Sequence, residues 1–309
     1  MQNIPVDVAI DKYLNLQRAI SSERTVRYYA EIFDLFKAYT YELGVDYVSQ
    51  ISQDDFLEYV KMLRKKGIKN TSVNTYTRGI RAFANWCVDN DYLAKSFCTG
   101  IKQLRDDSAQ IFPLTTHQVL VIDKYFGIMT FAISGYKETG SFDLRNFVLF
   151  HLMLDCGLRR QEVINLNVED VQVNCLVIRN SKCNKSRIVP LPQWLYDYIR
   201  LEIGHRKSGP VLLSRNGDRI TEDGVKKVFY DISNDTSIHV YPHLLRHTFA
   251  TSYIAGGGNL EFLRIILGHA SYNITQRYVH IASQCVISDI DIYKLDSVFF
   301  KNYNNRNTR

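Results

Sequence analysis

The chain has 309 residues, 46% hydrophobic and 23% charged, with a formal net charge of +6. This is the composition of an ordinary globular protein with room for two domains. No apolar run approaches the roughly 18 residues of a membrane span, and Met1-Gln2-Asn3-Ile4-Pro5 lacks the basic-then-apolar order of a secretory signal. Six cysteines without a Cys-x-x-Cys pair argue for reduced thiols in a cytoplasmic protein over a disulfide frame or a zinc site.

Val6, Ala9, Ile10, Tyr13 and Leu14 recur at helical spacing and predict a first helix. A second is expected from Glu23 to Leu43, with Tyr29, Ile32, Phe33, Phe36 and Tyr39 on its apolar face and Gly44 as its stop. Ser52 suits the N-cap of a third helix from Gln53 to Lys66, closed by Gly67. A fourth should run from Thr71 to Asp89. Residues 1–101 therefore predict a compact helical domain. Its cations are bunched: Arg64, Lys65, Lys66 and Lys69 at one helix end, Arg78 and Arg81 on the next helix. Such a group can neutralise several phosphates. It can equally be a solvated helix end whose charges complement the helix dipole.

Residues 102–114 turn polar and reach Pro113, which reads as a linker. Beyond it, helices are expected over 115–127, 142–156, 192–203, 221–232, 243–255, 259–267 and 273–280. Val173, Cys175 and Val177 alternate, Ile188-Val189-Pro190 follows, and the polar turn Asn180 to Ser186 between them predicts a basic hairpin. Val211-Leu212-Leu213 is a candidate third strand. The fold class is mainly α, with a helical N-terminal domain and a mostly helical second domain (115–309) holding a small antiparallel sheet.

The chemistry concentrates late in the chain. Tyr278 follows His269 by nine residues on a short helix. A free phenol titrates near pH 10 and needs a base or nearby cations to act as a nucleophile. His243 and Arg246 are three apart, so one helix face presents an imidazole and a guanidinium to one phosphate. Cys156-Gly157-Leu158-Arg159-Arg160-Gln161-Glu162 lies at a loop and helix start. There Arg159 adds a second guanidinium for a pentacoordinate phosphorane. Lys182 and Lys185 in the hairpin are candidates to protonate a leaving oxygen. Each of these residues alone has an ordinary surface or core explanation; the grouping is what points to phosphodiester chemistry.

Together these motifs resemble the tyrosine recombinase family, the integrases and Xer-type site-specific recombinases, over about residues 115–281. Cys156-Gly157-Leu158-Arg159 with Glu162 is similar to the first-arginine motif. His243-Leu244-Leu245-Arg246-His247 matches the His-x-x-Arg box, Leu267-Gly268-His269 the next, and Thr275-Gln276-Arg277-Tyr278 the nucleophile segment. The family's hairpin usually reads Gly-Lys-Gly, whereas here it is Ser181-Lys182-Cys183-Asn184-Lys185 followed by Arg187.

The resemblance implies that Tyr278 attacks a scissile phosphate to give a 3′-phosphotyrosyl link and a free 5′-hydroxyl. Arg159 and Arg246 would hold the phosphate, His269 add a hydrogen bond, His243 handle the tyrosine proton and Lys182 protonate the leaving oxygen. Glu162 would support Arg159, and Lys185 and Arg187 would contact DNA with Arg64, Lys65, Lys66, Lys69, Arg78 and Arg81. No metal or other cofactor is implied. The partners implied are double-stranded DNA and further copies of the chain, four protomers exchanging strands on two sites through a Holliday junction. The apolar tail (282–309) would dock onto a neighbour or fold back in cis. Two other readings compete: an inactive DNA-binding accessory protein, which would lack Tyr278 or an arginine, and a type IB topoisomerase, which would relax supercoils as a monomer.

Overall fold

The computed structural model describes residues 3–105, 111–127, 141–179, 186–269, 271–287 and 291–295, with the backbone alone at 141–143 and 286–287. The chain divides into two compact units, Met1–Gln110 and Ile111–Arg309.

The first unit is built from helices α1 (Val6–Ile20), α2 (Glu23–Glu42), α3 (Gln53–Lys65) and α4 (Asn70–Asp89). Val6, Ala9, Ile10, Tyr13, Leu14 and Gln17 form the buried stripe of α1, the spacing that one helix face requires. Ser22 and Ser52 accept from Thr25 N and Asp55 N and so start α2 and α3. The Asp55 side chain completes a capping box on the Ser52 main chain. The core is aromatic. Tyr13 packs edge-on against Tyr29, Phe33, Phe83 and Trp86, and Phe36 meets Tyr59 and Phe97, geometries that the ring quadrupoles favour.

The second unit holds α5 (Thr116–Tyr125), α6 (Ser141–Leu154), the short α7 (Arg160–Asn165), α8 (Gln193–Ile203), α9 (Glu222–Thr236), α10 (Pro242–Ala255), α11 (Leu260–Leu267) and α12 (Tyr272–Ile287). Between α7 and α8 lies a sheet of β1 (Val171–Gln172), β2 (Cys175–Arg179) and β3 (Ser186–Pro190), antiparallel throughout and in that order. In β2 the residues buried against the core are Leu176 and Ile178, while Val173 lies in the β1–β2 turn, 60% exposed.

Val211-Leu212-Leu213 does not join this sheet. Val211 N donates to Leu166 O, and Leu213 pairs with Arg219 in an isolated bridge. The triplet is apolar because Val211 and Leu212 are buried, and a short apolar run alone does not separate a strand from a buried loop. The third strand is β1 instead, two residues long.

α10 runs through the middle of the unit. Leu244, Leu245, Phe249, Ala250 and Tyr253 are buried together with Arg246, Thr248, Thr251 and Ser252. A guanidinium in such surroundings requires a full set of acceptors.

Residues 291–295 return to the start of the unit. Thr116 N and Oγ1 donate to the Asp291 carboxylate at 3.1 Å each, Tyr293 N donates to Leu114 O, and the Tyr293 hydroxyl donates to Asp155 Oδ1 at 2.8 Å. Asp155 is also one of two carboxylates on His151: Nδ1 lies 2.6 Å from Asp155 Oδ2 and Nε2 3.0 Å from Asp123 Oδ1. No helix among the described residues is long and apolar enough to cross a membrane.

Candidate active site

α6 ends at Leu154, and the chain reverses through Gly157, whose φ is +63°. A Cβ there would lie 2.5 Å from the Phe249 ring on α10. Glycine is therefore required for both the left-handed backbone and the close approach. The reversal sets Arg159 as the N-cap of α7, with Glu162 one turn on. Glu162 Oε2 accepts from Arg159 N and Oε1 accepts from Arg159 Nη1, both at 2.8 Å.

A second guanidinium grips the same carboxylate. Arg187 on β3 donates from Nη1 and Nη2 to the two oxygens of Glu162, 2.8 Å each. Burial alone would raise the Glu162 carboxyl, but the Arg187 hydrogen bonds and charge, then the Arg159 main chain and charge, bring it down to about 2. Arg187 was expected as a DNA contact, and in the fold it faces inward. Its side chain is 11% exposed, and its donors are spent on Glu162 and on Ile266 O (Nε, 2.6 Å).

The C-terminus of α11 ties these cations together. Helix ends leave carbonyls without intrahelical partners, and here three successive ones are taken by arginines from three distant segments. Arg187 donates to Ile266 O, Arg246 Nη2 to Leu267 O at 2.7 Å, and Arg159 Nη2 to Gly268 O at 3.1 Å. Gly268, at φ +64°, turns the chain so that its carbonyl joins the row. Arg246 also donates from Nη1 to Gly157 O at 2.6 Å. Burial and then the Arg159 charge lower the Arg246 guanidinium from its ordinary value.

His269 follows directly. Its Nε2 lies 3.0 Å from Arg246 Nη2 and its Nδ1 2.9 Å from Thr275 Oγ1. Because the guanidinium can only donate, Nε2 accepts and Nδ1 carries the proton toward Thr275. Burial, followed by the charges of Arg246, Arg159, Arg277 and Arg187, pushes His269 down to about 4, so the ring is neutral at pH 7. The Tyr278 ring on α12 stacks on His269, with centroids 6.5 Å apart and planes 13° apart. His247 packs on Tyr278 at 5.4 Å and lies 2.8 Å from Ile111 O through Nε2. Arg277 donates to the Tyr278 hydroxyl at 3.3 Å and covers its ring. His243 stands exposed one turn before Arg246. Its partial burial comes first, then Arg246, Arg160, Arg159 and Arg277, in lowering its pKa.

The fold thus brings Arg159, Glu162, Arg246, His269 and Tyr278 into one contact network, with His243 at its edge. Lys182 and Lys185 lie outside the described residues. In the first unit Arg64, Lys65, Lys66, Lys69 and Arg78 are exposed, while Arg81 is half-buried and donates to Ile101 O at 2.9 Å. Sequence reasoning gave no role to Thr275, Arg277 or His247. Thr275 is fully buried, and its place three residues before Tyr278 on the same helix face was the only available signal.

The model of the phage integrase family matches residues 123–284, and that of the phage integrase N-terminal SAM-like domain matches residues 10–96. The tyrosine recombinase XerC of Chromobacterium violaceum is 30% identical over 223 residues, covering 70% of this chain and 71% of its own length. The XerC of Psychromonas ingrahamii is 27% identical over 289 residues, 89% and 92% of the two chains. Among solved structures, the Tn1549 transposon integrase in complex with circular intermediate DNA has a TM-score of 0.71 at 19% identity, covering 92% of this chain and 99% of that one. A lambda integrase dimer bound to a core site has a TM-score of 0.72 at 13% identity, covering 89% and 95%; both likenesses are of fold. With more than half of its length matched by that family model, and its site assembled from the family's separate boxes, the chain belongs to the phage integrase family, the tyrosine recombinases.

Proposed function

We propose that this chain cuts and rejoins double-stranded DNA at a specific site through a covalent 3′-phosphotyrosyl link on Tyr278. The Tyr278 oxygen attacks the scissile phosphorus and its proton leaves to His243. His243 is held in its neutral, accepting form by partial burial and the surrounding arginines. The bond to the 5′-oxygen breaks and Lys182 supplies that oxygen's proton. Attack by a 5′-hydroxyl from the partner duplex reverses the step and returns the proton to the phenol. The bond energy is kept in the phosphotyrosine, so no nucleotide is consumed.

The observation that carries this reading is the row of arginines on Ile266, Leu267 and Gly268 beside the His269–Tyr278 stack. Three guanidiniums against one carboxylate leave two positive charges fixed in place. A phosphodiester carries one negative charge and a phosphorane approaches two, so the surplus favours the transition state over the ground state. Arg159 and Arg246 are the phosphate ligands in this scheme; once Arg246 Nη2 turns from His269 Nε2 to the phosphate, neutral His269 carries its proton on Nε2 and donates it there, with Nδ1 accepting from Thr275 Oγ1. The exposed cations of α3 and α4 bind DNA phosphates. Four protomers exchange strands pairwise on two sites, as in an Xer-type enzyme or one carried by a mobile element.

Tyr278→Phe is the test. Duplexes captured covalently by the wild-type protein from a random-sequence pool serve as substrate. The variant should bind them with unchanged affinity and form no covalent adduct; an adduct on the variant would remove Tyr278 from its role.

A further inference from the structure

We infer that Arg187 is a positioning residue for strand cleavage, holding the Glu162 carboxylate so that Arg159 is free to turn to the scissile phosphate. This deepens the assignment of Arg159 as a phosphate ligand and rests on it.

The argument starts from the Glu162 carboxylate, whose side chain is 14% exposed. A carboxylate so enclosed needs a fixed cation, because leaving one partner of a buried pair alone is strongly destabilising. Arg159 can supply that cation only while it stays on Glu162. Its Nη1 is the group that meets Glu162 Oε1, and its side chain is 37% exposed, open to the site. When Arg159 swings Nη1 to a phosphate oxygen, Glu162 loses one of its four hydrogen bonds. The two from Arg187 and the one from the Arg159 main chain remain. The carboxylate therefore stays ionised and keeps the main chain at Arg159 in register while the guanidinium works.

Arg187 is itself immobilised. Its Nε donates to Ile266 O, and a Cβ on Gly268 would lie 3.2 Å from its Cδ, so the glycine leaves the room in which this side chain runs. The planar fork matters: two parallel bonds to a carboxylate and a third to a carbonyl need a guanidinium, and an ammonium reproduces at most part of the set. The pairing also explains why an arginine follows the hairpin at a place where a surface cation would otherwise serve. It faces Glu162 and the α11 end, with its side chain almost enclosed.

The experiment compares Arg187→Met, Arg187→Lys, Glu162→Gln and the Arg187→Met/Glu162→Gln pair with the wild type, using duplexes captured from the random pool. Single-turnover adduct formation should slow about tenfold or more in Arg187→Met, with Lys giving at most partial rescue. Affinity and its salt dependence should stay within about twofold, because no phosphate contact is lost. Glu162→Gln should be slow by itself, and adding Arg187→Met should slow it little further, since both act through one carboxylate. In DNA-free protein, carboxyl-carbon NMR should find Glu162, faced by Arg187, Arg159 and Arg246, raised well above about 2 in Arg187→Met, and adduct formation should gain an acid limb there. Wild-type adduct rates in Arg187→Met, a lowered salt slope, or an unmoved Glu162 would each overturn the proposal. If the wild type captures no duplex, the nucleophile assignment fails instead, and the Glu162 titration still decides whether Arg187 controls the carboxylate. Should Arg187→Met not fold, Arg187→Lys and Glu162→Gln carry the same comparison.

Discussion

At the scale of single residues, Gly157 does two jobs that no other side chain permits. Its backbone is left-handed and it lies against Phe249, while its carbonyl receives Arg246. Gly157→Ala should cost about 2–4 kcal/mol of stability, combining backbone strain with overpacking. Chemical denaturation of variant and wild type measures it, and a loss below about 0.5 kcal/mol would show that the loop relaxes freely. The residues that sequence reasoning found share one property: each sits in a motif a few positions long. His243-x-x-Arg246 is legible because helical spacing puts both side chains on one face. The pairing of Arg187 with Glu162 was not legible because the two lie on different elements, and nothing local announces a pair that closes only in the fold. Thr275 was missed for the same reason, its partner being the ring of His269.

At the scale of elements, the joint between α6, α5 and residues 291–295 is held by His151. Burial opposes its charge, but the hydrogen bonds it donates to Asp123 and Asp155, and their charges, raise it to about 9. Because its folded value lies above the unfolded one, its contribution to stability is fully present below about pH 6.5 and is lost as pH rises through about 9. The effect is on the order of a few kcal/mol. His151→Asn should be less stable at pH 6 and should lose the decline between pH 6.5 and 9. Thermal melts across that range report it, and equal slopes in the two proteins would refute the assignment. The helices were legible from periodicity and caps; Ser52 starts α3 as its sequence predicts. The sheet was legible in its hairpin but not in its third member. A two-residue strand such as Val171–Gln172 has no period to read, while the apolar 211–213 imitates one.

At the scale of the whole molecule, the two units carry separate tasks in the proposed reaction, and the first contributes charge. Lys65 and Lys66 are exposed at the end of α3. Replacing both with alanine should lower the slope of log affinity against log salt by about two if each meets a phosphate. An unchanged slope with a small stability loss would leave them as partners of the helix dipole alone. The mainly helical class and the helical first unit could be read from the chain because their hydrophobic stripes are long. How three arginines from separate segments would meet could not, since it depends on tertiary closure.

That meeting point has a consequence for how the protein folds. The carbonyls of Ile266, Leu267 and Gly268 exchange water for guanidinium donors only once the segments bearing Arg159, Arg187 and Arg246 have all arrived. Three like charges then converge in a largely enclosed space with one opposing carboxylate, a local conflict. The hydrogen bonds hold the charges there against their mutual repulsion. A bound polyanion removes the conflict, so the substrate acts as the last piece of the native structure and stabilises it by mass action.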